Sequence, residues 1–200
     1  MARAHLGPSR KTARARGAWI CCADESGLSL IPPVRTTWAP RGQTPILRHH
    51  MRRPGNLSLA GLICYHPDGR RARLLAGHVV GAYNTHSLIA LLQRLPALLG
   101  GAPVILVWDQ LPAHHSIDMK TWLAAQADWL QVVELPGYAP DLNPVEPMWS
   151  AVKGKDLANY AATDLADLWR AASRGLARIR RNPALLWSFL AATGLVIPST

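Results

Sequence analysis

The chain has 200 residues, 49% of them hydrophobic, with eight Trp, and carries 22 Lys and Arg against 12 Asp and Glu for a net charge of +10. That length suits one domain with a proper core, and the composition excludes a disordered or low-complexity chain. No apolar run reaches the roughly 18 residues of a membrane span, so the expectation is a soluble protein without a membrane partner.

The N-terminal stretch "MARAHLGPSRKTARARGAWI" is Arg-rich and acid-free and lacks the apolar segment of a secretory signal. We read 1–17 as a basic tail, either an arm or a leftover linker, and 18–200 as the domain. "AWICCAD" (18–24) predicts a strand that ends in an acid, and "LSLIPP" after the turn "ESG" predicts a short return strand. The segment 34–53, rich in Pro, Arg and Thr and without period, predicts a basic loop. "NLSLAGLICYH" and "RRARLLAGHVV", joined through Asp68-Gly69, predict a hairpin. Three antiparallel strands therefore come first.

The period then changes. "THSLIALLQRLPALLG" (85–100) predicts a helix with Thr85 as N-cap and Gly100 as stop. "APVILVWD" (102–109) is a continuous apolar run of strand length, as expected for a strand covered on both faces. A helix over 116–129, a strand in "LQVVELP" and helices from Pro144 onward complete the chain. This order predicts an α/β fold, a mixed sheet with helices on both faces. Right-handed crossovers set the "VILVWD" strand beside the "WICCAD" strand. Asp24 and Asp109 would then lie together at the strand ends where ligands of open α/β sheets gather.

Two neighbouring carboxylates repel unless neutralised, and Mg²⁺ is a common neutraliser that takes oxygen ligands. Taken singly, Asp24 reads equally well as a turn residue and Asp109 as a loop or capping residue. Glu146 follows "APDLNPV" with Asn143 as N-cap and Pro144 at N1, which is a capping-box position favoured by the helix dipole. It can cap the helix, present a third carboxylate to the aspartates, or do both. Asp118, Asp128 and Asp141 are weaker candidates, since none ends a buried strand or opens a helix in register. Asn143 reads as a cap in a supporting position rather than a metal ligand.

Charge distribution points to a polyanion as partner. No acid occurs over 26–67, 69–108 or after Asp167, while Arg35, Arg41, Arg48, Arg52 and Arg53 populate the loop. Arg170, Arg174, Arg178 and Arg181 fall at helical spacing as a basic stripe. The alternative is a solvated basic surface without a partner. Cys21, Cys22 and Cys64 lack metal-type spacing and read as buried thiols in a reducing compartment. Trp38 and Trp149 are read as core aromatics.

Three blocks, "DESGLSLIPPVRTTWAPRGQTP" (24–45), "VILVWDQLPAHHS" (104–116) and "LPGYAPDLNPVEPMWSAVK" (135–153), resemble in order the catalytic blocks of DDE transposases. The resemblance is to the bacterial insertion-sequence-630-type branch of the mariner-like superfamily. It implies a ribonuclease-H-like fold with three antiparallel strands followed by two parallel ones, and Asp24, Asp109 and Glu146 as the catalytic, metal-binding triad. It implies two Mg²⁺ or Mn²⁺ ions per site, cleavage of phosphodiester bonds at transposon ends, and strand transfer into target DNA. It further implies a homodimer on DNA, acting in the bacterial cytoplasm at the nucleoid.

His114 fits the family's Asp-x-x-x-x-His pattern, where it would contact DNA, support the site, or serve the fold alone. Gln110 stands where the family often has Asn. Full-length relatives carry helix-turn-helix modules ahead of the catalytic domain, and the residues before the first strand here have no amphipathic period. A separately encoded helix-turn-helix subunit is therefore an expected partner. A truncated, non-catalytic DNA-binding remnant is the alternative.

Overall fold

The computed structural model describes residues 13, 15–48, 55–137, 139–195 and 197. Arg52, Arg53 and most of the 1–17 tail lie outside the described residues. One five-stranded sheet organises the chain in the order β3-β2-β1-β4-β5. β1 (Trp19–Ser29) pairs antiparallel with β2 (Asn56–Tyr65), and β2 pairs antiparallel with β3 (Ala72–Val80). β1 also pairs parallel with β4 (Val104–Trp108), and β4 with β5 (Leu130–Glu134). The predicted mixed sheet, three antiparallel strands and then two parallel ones, is thus present.

Both faces of the sheet are covered, which explains the unbroken apolar runs. All five residues of β4 are buried, as a central parallel strand requires. One face packs Ile20, Cys22, Ile105 and Val107 under α4 (Val145–Ala151), α5 (Leu165–Arg180) and α6 (Pro183–Ala192). The other packs Trp19, Cys21, Leu106 and Trp108 under α1 (Thr85–Leu92), α2 (Leu95–Leu99) and α3 (Ile117–Ala125). α5 is amphipathic, burying Leu168, Ala171, Ala172, Leu176 and Ile179. Among the described residues no helix is long and apolar enough to cross a membrane.

Several local expectations change. The segment "ESG" does not turn back: Ser26 and Gly27 continue β1, paired with Leu59 and Ser58 of β2. β2 is long enough to supply an antiparallel partner as far as Ser29, and this pairing overrides the local turn signal. Asp24 consequently sits mid-strand, not at a strand end. The predicted 85–100 helix breaks into α1 and α2 at Gln93 and Arg94, just before Pro96, whose ring cannot supply an interior helix N–H. Its N-cap is Asn84, in a reciprocal capping box with Ser87, while the Thr85 hydroxyl bonds Ser116 at 2.9 Å. Gly100 ends α2 with φ 67°, the left-handed stop expected of it.

Cys21, Cys22 and Cys64 are free and buried, and Cys21 faces Cys64 across the β1–β2 ladder. Burial pushes the Cys22 thiol up to about 12. Trp149 is core as expected, but Trp38 is 100% exposed on the 31–48 loop. The core reading of Trp38 therefore fails.

Candidate active site

The last β1–β4 pair joins Cys22 to Val107. Asp24 and Asp109, each two residues beyond that pair, therefore stand at the same height, Asp24 still paired with Gly61 of β2 and Asp109 just past the end of β4. β4 stops at Trp108, and Asp109 caps its own turn by accepting the Leu111 N–H at 3.3 Å. Asp24 points to the face covered by α4, following the alternation that buries Ile20 and Cys22 there.

The Pro-rich approach then delivers Glu146. A short 3₁₀ turn over Pro140–Leu142 leads into Asn143, whose side-chain oxygen accepts the Val145 N–H at 3.1 Å. The helix starts one residue later than expected, with Pro144 rather than Asn143 in the N-cap position. Asn143 serves its first N–H from just outside, without the expected capping-box bond to Glu146. Asn143 does more: its amide donates to the Ala23 carbonyl at 2.9 Å, tying the start of α4 to the backbone beside Asp24. Asn143 is 3% exposed and satisfied on both sides. The Trp149 indole N–H donates to Asp24 Oδ2 at 2.9 Å, a second tie from α4 to the same strand. Packing this close needs Gly61, which pairs with Asp24 across the ladder. A Cβ there would stand 2.9 Å from both the Met148 methyl and the Trp149 ring.

Asp24, Asp109 and Glu146 line one cleft of about 480 Å³, together with Gln110, Leu135 and Asn143. Burial, then the charges of Glu146, Glu25 and Asp109, raise Asp24 to about 8, against the weaker lowering by Trp149. Burial disfavours the ionised form first, and the neighbouring carboxylates add to it. A divalent cation fits such a donor set of hard carboxylate oxygens. Asp118, Asp128 and Asp141 are all exposed and none lines this cleft.

His114 is buried, with 1% of its side chain exposed, so it cannot contact DNA and that expectation is corrected. Its ring stacks on Trp108 at 3.9 Å and 1°. Nδ1 lies 2.9 Å from the Asp109 carbonyl and 3.2 Å from Asp109 Oδ1, and Nε2 lies 3.4 Å from Glu25 Oε1. Burial opposes charge on this imidazole, but the bonds to Asp109 and Glu25 outweigh it and lift His114 to about 9. Asp109, although burial alone would raise it, is held below the usual carboxylate range by the same hydrogen bond.

Both raised groups bind protons more tightly in the folded chain than in the unfolded one. Asp24 therefore withdraws stability as pH rises from about 4 to about 8, and His114 as pH rises from 6.5 to about 9. The thermal midpoint of the metal-free protein is expected to fall across pH 5 to 9, by roughly 5 °C or more. Scanning calorimetry over that range checks it; a flat or rising midpoint would contradict both assignments.

The basic residues separate into groups. Arg35, Arg41 and Arg48 are exposed on the 31–48 loop, and Arg170, Arg174 and Arg181 are exposed on or just past α5. Arg170 also donates to Asp167 at 3.3 Å but stays exposed, whereas the half-buried Arg178 guanidinium donates twice to Asp156, at 2.7 and 3.2 Å. Asp156 nests against Gly175, where a Cβ would come within 2.6 Å of its carboxylate. Arg178 therefore belongs to the packing of α5 and leaves the set of free phosphate contacts.

Sequence reasoning missed Glu25, Asn159 and Gly61. Glu25 carried one signal, an acid placed next to Asp24 inside a buried strand and hence on the opposite face. Asn159, with φ 56°, exchanges hydrogen bonds of 2.8 and 2.9 Å with the Arg35 backbone and pins the base of the basic loop. Nothing local marked it.

The family model of the DDE superfamily endonucleases matches residues 19–168. No curated protein matches the chain. The chain is similar to the solved Mos1 strand transfer complex, with a TM-score of 0.56 and 17% identity over 94% of this chain and 58% of that one. It is similar also to the Mos1 mariner paired end complex with Mn, with a TM-score of 0.53 and 17% identity over 94% and 60%. To the catalytic domain of Mos1 mariner transposase the values are 0.50 and 15%, over 96% and 89%. At these identities the likeness is one of fold, the ribonuclease-H-like sheet. The chain spans 58% to 60% of the polypeptides in those two complexes.

Proposed function

The chain belongs to the DDE superfamily endonucleases, and from that premise we propose that it is the catalytic domain of a mariner-like DNA transposase of the insertion-sequence-630 type. It would cleave phosphodiester bonds at transposon ends and transfer the strands to target DNA. The observation that carries this reading is the convergence of Asp24, Asp109 and Glu146, from three separate elements, on one cleft. In this reading the domain extends over 18–200 and acts at the nucleoid in the bacterial cytoplasm.

Asp24, Asp109 and Glu146 would hold two Mg²⁺ or Mn²⁺ ions. Ions in such two-metal sites generate the nucleophile and stabilise the leaving oxygen of an in-line displacement at phosphorus. The protein's own part is placement. Trp149 and Asn143 fix Asp24 and the first turn of α4 against each other, and His114 fixes Asp109. Asp24 is raised to about 8 by burial and by the neighbouring carboxylates, so loading the site at neutral pH would release a proton from that carboxyl group. The exposed arginines 35, 41, 48, 170, 174 and 181 contact phosphates and set the position of DNA rather than read its sequence. A second copy of the chain and a separately encoded helix-turn-helix subunit are the proposed protein partners, the latter reading the element ends.

Purified protein is expected to nick supercoiled plasmid in Mn²⁺, and Asp109→Ala to abolish the nicking. Equal nicking by wild type and variant would sink the reading. The arginines give a separate expected result. Arg174→Ala should weaken DNA binding severalfold and reduce the salt slope by about 1. Arg178→Ala should instead cost about 1–2 kcal/mol of stability through the stranded Asp156, with a salt slope like wild type. Fluorescence anisotropy at several salt concentrations, alongside thermal melts, separates the two.

A further inference from the structure

Asp24 and Glu25 are consecutive on β1, so the pleat sends them to opposite faces of the sheet. Asp24 enters the cleft under α4. Glu25 goes to the side of α1 and α3, where its side chain is 15% exposed and its Oε1 meets His114 Nε2 at 3.4 Å. His114 occupies the gap between Glu25 and Asp109, one ring nitrogen facing each acid, and its plane is set by the parallel stack on Trp108. We propose that Glu25 is a positioning residue that acts through the His114 ring to fix the Asp109 carboxylate, with no contact to the bound ions. This rests on the metal-binding reading of Asp109 given above.

Two features favour an indirect role over a ligand role. One atom from each of Glu25, Asp109 and His114 can be chosen so that all lie within 4.8 Å of one another, a spacing that could enclose an ion. Yet the imidazole already uses both nitrogens: Nδ1 serves the Asp109 carbonyl and carboxylate, and Nε2 serves Glu25. An ion ligated by Glu25, Asp109 and His114 would have to take an imidazole nitrogen from one of these bonds. Glu25 Oε2, moreover, is buried and meets no hydrogen-bond partner among the described residues. Among the described residues the bond from His114 is then the one polar tie of the Glu25 side chain, kept at the cost of an unsatisfied oxygen. Loss of a metal ligand's outer hydrogen-bond partner typically costs about 10–100-fold in metal affinity or activity.

The test compares Glu25→Ala and Glu25→Gln in the full chain, with circular dichroism to confirm folding. Gln keeps a side-chain oxygen that can accept from Nε2. Three readouts are taken: Mn²⁺ affinity and stoichiometry by calorimetry, kcat and KM for plasmid nicking, and the ring-current shift of the His114 protons by NMR. Glu25→Ala should lower Mn²⁺ affinity and kcat by roughly 10–100-fold with Gln within about 3-fold of wild type. The number of ions bound and KM should not change, and the His114 protons should lose their Trp108-induced shift in the Ala variant alone. Loss of one bound ion in both variants would make Glu25 a ligand and overturn the proposal. So would wild-type affinity and wild-type His114 shifts in Glu25→Ala. Where wild type fails to nick while the affinity and NMR pattern holds, the nuclease reading falls and the positioning role stands.

Discussion

Asp24→Asn is expected to reduce Mn²⁺-dependent nicking by roughly 10³-fold or more and, at the same time, to raise the thermal midpoint of the metal-free protein. The two effects have one cause. Asp24 is raised to about 8 by burial and by the charges of Glu146, Glu25 and Asp109. The folded chain at neutral pH must therefore hold a proton that the unfolded chain releases, and that difference opposes folding. Asparagine removes the ionisable group while keeping an oxygen to accept the Trp149 indole N–H. It cannot replace the charge that a cation requires. Opposite changes in activity and stability mark a carboxylate kept for chemistry. Nicking assays and melts of the same sample at pH 7.5 check it. A variant both less active and less stable would assign Asp24 a structural role.

Gly61→Val should give the largest loss of stability. A Cβ at Gly61 would lie 2.9 Å from the Met148 methyl and from two atoms of the Trp149 ring. Met148 can move; the indole is rigid, buried, and tied to Asp24. Accommodating Val therefore means lifting α4 from the sheet, at a cost of about 3 kcal/mol or more. For a chain of this size that lowers the thermal midpoint by roughly 6–12 °C. Because α4 carries both Glu146 and Trp149, nicking should fall as well, even in molecules that remain folded. Gly27→Ala, on the same sheet but facing open space, is the control, expected to stay within about 0.5 kcal/mol of wild type. Equal melting of Gly61→Val and wild type would mean that α4 does not depend on this close approach.

The strands were readable because burial on both faces writes a continuous apolar run, as in "VILVW" and "WICCA". The parallel placement of β4 beside β1 followed from the order of elements and the handedness of crossovers, which brings Asp24 and Asp109 together. Glu146 was readable for a local reason, a helix start defined by Asn143 and Pro144, and the three motif blocks joined it to the two aspartates.

What the sequence by itself offered was therefore the kind of sheet, the placement of β4 beside β1, and three carboxylates as candidates. Tertiary structure alone decided how they are held. Whether "ESG" turned or ran on depended on the length of a partner strand distant in sequence. The roles of Glu25, Asn159 and Gly61 depended on what stood across a gap from each: a stacked imidazole, the backbone of Arg35, and an indole ring. His114 moved to the interior and Arg178 into an ion pair with Asp156 for the same reason. Periodicity records which face of an element is apolar, but the partner of a polar group is set by contacts between residues far apart in the chain.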